Sequence, residues 1–249
     1  MYDSSINDTG GYVQMKKLLI VVIGALMLAG CGSDDSEKEI SKAEEMPKQD
    51  EVNEDVLAEE EEEESVEEIE ELSPKDEMIL KVIDLIDEGL AFDSGSYIKG
   101  DIPKGEYAFV PFEGSGEYYS EEDSGGNIVD NENFSSFGYV QVHEAGNLET
   151  RGALVSGEGL EKLEVSGAKE LYEIVNDKEN YLDAGWYKVG KDIEPGEYVI
   201  ESYGSGYVAV MTGPVGNSDI VDNENFNGKY TVNLQEGQYL KVSNATITE

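Results

Sequence analysis

The sequence predicts a mainly β protein: two tandem small antiparallel β repeats of sandwich or barrel-like type, each preceded by a short helix, after a disordered acidic linker. Three observations carry this expectation. The outer part of the chain is duplicated with a period of about ninety residues. Within each copy, apolar residues alternate with polar ones over short runs bounded by Gly, Asn and Asp. Ahead of both copies lies a Glu-rich stretch without aromatics, which has too little to bury to offset the entropy of ordering.

The chain opens with a leader, residues 1–30. Met15-Lys16-Lys17 is a basic start, and the apolar run Leu18 to Leu28 is about half the length that crosses a bilayer. A basic start, a short apolar run and small residues at its end read as a secretory signal peptide. A buried helix or short membrane segment would explain neither the cysteine at the boundary nor the polar stretch beyond it. Tyr2, Asp3 and Asp8 are unlike a signal-peptide start, so translation is expected to begin at Met15.

Leu28-Ala29-Gly30-Cys31 resembles the lipobox of bacterial lipoprotein signal peptides. The resemblance implies that Cys31 is lipidated, becomes the first residue of the mature protein and anchors it in the outer face of the bacterial cell membrane. A diacylglyceryl group supplies the two chains that stable anchoring requires. Cys31 is the only cysteine, so no intramolecular disulfide forms and the outer part must hold together by its core.

Residues 31–74 are expected to be a disordered acidic tether centred on the run Glu59 to Glu64. Like charges at this density repel and extend the chain, and a helix here would place them at unfavourable i,i+4 spacing. Fully stretched, some forty residues reach about 150 Å. The whole chain carries a formal net charge of −39, which excludes nucleic-acid binding and attachment to anionic lipid by charge.

Residues 75–155 are expected to hold a helix and the first β repeat. Met78, Ile79, Val82, Ile83, Leu85, Ile86 and Leu90 recur at helical spacing, with Ser73-Pro74 as a start signal and Gly89 as a stop. Residues 156–249 hold a helical connector, with a helix from about Ala168 to Val175, and the second repeat. The copies align through Asp101-Ile102-Pro103-Lys104-Gly105-Glu106-Tyr107 and Asp192-Ile193-Glu194-Pro195-Gly196-Glu197-Tyr198. Gly114-Ser115-Gly116 then matches Gly204-Ser205-Gly206, read as a tight connection between strands. An identical heptad follows, Ile128-Val129-Asp130-Asn131-Glu132-Asn133-Phe134 and Ile220-Val221-Asp222-Asn223-Glu224-Asn225-Phe226. Pro195-Gly196 suits a type II turn, with Gly supplying the positive φ. One copy alone would bury a marginal core, so the two are expected to pack together.

Tyr187-Lys188-Val189-Gly190-Lys191-Asp192-Ile193-Glu194-Pro195-Gly196-Glu197-Tyr198 carries a Tyr-Lys-Val-Gly-x-Asp-Ile-x-Pro-Gly-x-Tyr pattern; the first copy, from Tyr97, is one residue shorter. From Tyr97 onward the chain resembles surface lipoproteins of Gram-positive bacteria with tandem segments of this kind. The resemblance implies location and architecture and carries no activity.

Candidate chemistry is sparse. The heptad offers hard oxygen ligands, Asp130, Glu132 and Asn133 with Asp222, Glu224 and Asn225, of a type that binds calcium. The plainer reading is turn chemistry, in which Asn and Asp side chains cap their own loops and Phe134 and Phe226 anchor them. Tyr118, Tyr119, Trp186, Tyr203 and Tyr207 lie near Gly-rich turns, where exposed rings would stack on sugars; strand and core roles are the alternative. His143, the only histidine, falls opposite Gln235 and so in no duplicated site, and the sequence proposes no nucleophile or orienting carboxylate for it. Carboxylates are too abundant to single out an acid/base pair. No enzyme is expected. Two functions remain: an envelope protein that binds wall glycan or another polysaccharide, or an assembly protein that contacts another envelope protein through a sheet edge. Grouped exposed aromatics would favour the first, a bare apolar edge strand the second.

Overall fold

The computed structural model describes residues 72–112, 117–144 and 146–248. The leader, Cys31 and the acidic tether up to residue 71 lie outside them. The first element, α1 (Pro74–Asp87), starts where Pro sits in the first turn and Ser73 caps it, its Oγ accepting the Asp76 backbone N–H at 3.1 Å. Its buried face is Met78, Val82 and Leu85. No helix among the described residues is long and apolar enough to cross a membrane.

The first repeat comprises β1 (Ala91–Phe92), β2 (Gly95–Tyr97), β3 (Gly105–Val110), β4 (Glu117–Asp123), β5 (Ile128–Phe134), β6 (Gly138–Val142), β7 (Gly146–Thr150) and β8 (Ala153–Ser156). They form two antiparallel sheets, ordered β1-β8-β3-β6 and β2-β7-β4-β5. Two short helices, α2 (Gly157–Lys162) and α3 (Ala168–Val175), lead to the second repeat; α3 matches the expected span and α2 was not foreseen. The second repeat has β9 (Gly185–Lys188), β10 (Gly196–Met211), β11 (Ile220–Phe226), β12 (Lys229–Leu234) and β13 (Tyr239–Thr248). The order is β11-β10-β13-β9, with β12 also on β10.

The repeats match strand for strand. The first half of β10 pairs with β12 and the end of β13, as β3 pairs with β6 and β8. Its second half pairs with β11 and the start of β13, as β4 pairs with β5 and β7. Where the first repeat uses two strands, the second uses one long strand. Gly204-Ser205-Gly206 is therefore not a turn: it lies inside β10, where the register shifts between Ser202 and Tyr207. Its counterpart Gly114–Gly116 lies outside the described residues.

The shared motif is a device for holding strands. Tyr97 and Tyr187 donate their hydroxyls to the carbonyls of Asp93 and Asp183, each at 2.6 Å. Tyr107 and Tyr198 do the same to Pro103 and Glu194, at 2.8 and 2.9 Å. Each bond ties a strand to the backbone four residues upstream, in the manner of a tyrosine corner. Between each pair of tyrosines the chain reverses at a left-handed glycine, Gly100 (φ 92°) or Gly190 (φ 88°). Asp101 and Asp192 close that reversal by accepting the backbone N–H of Ile98 and Lys188 at 3.0 and 2.8 Å. Gly196, expected at the positive-φ position of a type II turn, is instead nearly extended (φ 159°) and opens β10.

Both repeats share one core, in which Phe109 stacks on Phe134 at 4.3 Å and Phe137 packs edge-on against Tyr187 at 4.9 Å. The second repeat also completes the first. Val215 lies beside β6, accepting from Gln141 N at 2.8 Å and donating to Tyr139 O at 3.0 Å.

Candidate functional site

Strand alternation places Tyr118, Ser120 and Glu122 of β4 on one face with Ser96 of β2 and Asn147 and Glu149 of β7. These residues line a groove of about 300 Å³. At its floor lies Ser120, 3% exposed, whose hydroxyl has no hydrogen-bond partner among the described residues. The same face in the second repeat carries Trp186, Ala209, Tyr239 and Lys241, and it is covered by the first repeat. There Lys241 Nζ meets Glu132 at 2.6 Å and lies 5.1 Å over the Trp186 ring. Glu106 accepts Lys188 Nζ at 2.5 Å and the Tyr239 hydroxyl at 2.8 Å. One face thus does two jobs: apolar and basic, it joins the repeats; polar, it stays open as a groove.

The seam holds a second constellation that sequence reasoning missed. Glu121, 2% exposed, accepts the backbone N–H of His143 at 2.9 Å and faces its Nδ1 at 3.0 Å. The other ring nitrogen faces the carbonyl oxygen of Gly216, in the second repeat, at 3.0 Å. Each ring nitrogen thus faces an oxygen, one from each repeat. His143 therefore has the orienting carboxylate that its sequence neighbourhood did not offer. The cavity beside Glu121, bounded also by Val142 and Glu144, is about 10 Å³, scarcely one water. The pair acts as a latch between the repeats. Its signal lay in the comparison of the copies, since the second carries Val208, Ala209, Val210 and Gln235 where the first has Tyr119, Ser120, Glu121 and His143. Burying polar groups where apolar ones suffice is costly.

Asp130 sits against this latch, its Oδ2 buried without a hydrogen-bond partner among the described residues. Burial pushes its pKa up to about 6, helped by the charges of Glu121 and Glu132 and opposed by the Asn131 N–H and His143. A carboxyl held above its unfolded value favours the folded state below about pH 4 and loses that contribution as pH rises through about 6. Asp130→Asn is therefore expected to raise stability at pH 7 by about 1–2 kcal/mol, after allowance for partial solvation, and to leave it unchanged below about pH 4. Urea unfolding at the two pH values measures the difference.

The other expected site residues are scattered. Tyr119 is fully buried and Trp186 is 6% exposed beneath Lys241, so neither ring is open to a sugar; strand pairing and the inter-repeat contact bury them. Tyr118 lines the groove, and Tyr207 holds the matching, half-buried place in β10. Tyr203 is exposed, with its hydroxyl on Asp183. The heptads, read as loops, are strands. Asp130 and Glu132 share one face of β5 while Asn133 points to the other, and Asp222, Glu224 and Asn225 divide likewise on β11. This alternation removes the convergence that calcium needs, and among the described residues no three His, Cys, Asp or Glu side chains gather to hold a metal. Leu28, Ala29, Gly30 and Cys31 lie outside the described residues. Compared with known proteins, the chain matches no family model and no curated sequence.

Proposed function

We propose that this is a lipid-anchored binding protein of the bacterial cell envelope, held by Cys31 on the outer face of the membrane, whose first repeat binds wall polysaccharide in the groove between β2, β4 and β7. The observation that carries the reading is the unpartnered Ser120 hydroxyl on the floor of that groove. A sugar offers many hydroxyl donors and an apolar ring face. Glu122, Glu149 and the Asn147 amide supply acceptors along the groove walls, and Tyr118 supplies an amphipathic edge. The reading is non-enzymatic, because the one histidine is spent on the seam. It also needs no calcium, because the heptad oxygens diverge.

Cosedimentation of the full chain with purified cell walls tests it. The wild type is expected to pellet with walls equally in calcium and in chelator. Tyr118→Ala and Asn147→Ala, both on the groove, are expected to weaken that binding by about tenfold each. Wall binding that survives both substitutions would remove the groove from the account. Absence of wall binding would remove the polysaccharide.

A further inference from the structure

The two identical heptads form edge strands at the same register, including the bulge that leaves Val129 of β5 and Val221 of β11 without a partner residue. Their neighbours have diverged: β4 presents Tyr119, Ser120, Glu121 and Glu122 where β10 presents Val208, Ala209, Val210 and Met211. Internal packing therefore does not account for the identity of all seven residues. Nor does it account for their exposure. Ile128 and Val129 are 59% and 43% exposed, Ile220 and Val221 56% and 54%, and these are four of the seven large apolar side chains exposed among the described residues. Apolar side chains beside a free row of backbone N–H and C=O groups make a template for another strand.

The first repeat shows what a heptad carboxylate accepts, since Glu132 holds Lys241 there at 2.6 Å. In the second repeat the equivalent Glu224 is exposed, as is Asp222, which meets the Tyr230 hydroxyl at 3.3 Å. Neither forms an ion pair among the described residues. The acidic row also discourages one chain from pairing with another, because a second copy would bring the same heptads and a net charge of −39.

We propose that the β11 edge, Ile220–Phe226, docks an extended lysine-bearing segment of a partner protein by strand addition, with the partner's lysines on Asp222 and Glu224 as Lys241 lies on Glu132. Backbone hydrogen bonds would supply affinity, the alternating lysines would set register, and Ile220 and Val221 would be covered. β5 is the lesser site, because one of its carboxylates already holds Lys241 and the other lies against the latch.

The test uses the full chain and a labelled seven-residue peptide alternating Val and Lys. Its comparison peptides are the Val/Glu version and a Val/Lys version N-methylated at alternate residues, which keeps the charge and removes the ladder donors. Fluorescence anisotropy is expected to show saturable binding of the Val/Lys peptide. Affinity should fall by about tenfold or more on N-methylation and in the Asp222→Asn/Glu224→Gln variant, with no binding of the Val/Glu peptide. Hydrogen exchange should slow at residues 220–226. Binding that survives N-methylation or the double substitution would reduce the effect to lysine attraction by the acidic tether and overturn the proposal, as would failure of the Val/Lys peptide to bind. No cell wall is present, so the result is independent of the polysaccharide reading.

Discussion

Glu121→Val is expected to destabilise the protein by about 3 kcal/mol, although valine is what the second repeat carries at the same place. The substitution takes away the acceptor of the His143 backbone N–H and of its ring Nδ1 at once. Two polar groups at a half-buried seam, the His143 backbone N–H and its ring Nδ1, then face a methyl group. For a folded region of this size, each kcal/mol moves Tm by about 2–4 °C, so a fall of about 6–12 °C is expected. Adding His143→Gln completes the exchange for the second repeat's residues and should recover more than about 1 kcal/mol. Chemical unfolding of the wild type, both single variants and the double variant closes this cycle. Additive single effects would mean that the pair does not latch the repeats.

Gly216→Ala is expected to cost about 2–4 kcal/mol, for two reasons that a control separates. Its φ of 88° is left-handed, and a β-carbon there would collide with the Asp130 carboxylate and crowd the His143 ring. Gly228 has a similar φ of 82° with nothing near the position of a β-carbon. Gly228→Ala should therefore show the backbone penalty alone, about 1 kcal/mol. The excess at Gly216 measures how tightly the loop of the second repeat is pressed onto the first. Shortening Asp130 to alanine in the Gly216→Ala background should return part of that excess. Equal costs at the two glycines would show that the seam yields to a methyl group.

Local pattern served well where the chemistry is local. The apolar spacing of Met78, Val82 and Leu85 and the Ser73-Pro74 start produce α1 because a helix reads one face every three or four residues. The alternation in Val140-Gln141-Val142 and Val232-Asn233-Leu234 produces β6 and β12 for the matching reason at period two. It misled where composition and pairing compete. Asp-Asn-Glu-Asn has the residues of a turn, yet antiparallel pairing with β4 and β10 holds it extended, and strand propensity follows context more than identity. Gly-Ser-Gly likewise reads as a reversal, but in β10 it lets a long strand shift register and serve both halves of the repeat.

By itself the sequence determined the repeat, its β character and the helix before each copy. These depend on side chains within a few residues of one another, and the duplication states them twice. Only the tertiary structure decided which face of each repeat is covered. Equivalent faces became a seam at Trp186 and Lys241 and an open groove at Ser96 and Glu149, and of the identical heptads one has its Glu132 held by Lys241 while the other keeps Glu224 exposed. The difference comes from head-to-tail packing of two similar bodies, which consumes one surface of each and leaves the other two free. No periodicity within a repeat encodes that choice, because it is made by contacts between residues about a hundred positions apart, such as Glu132 with Lys241.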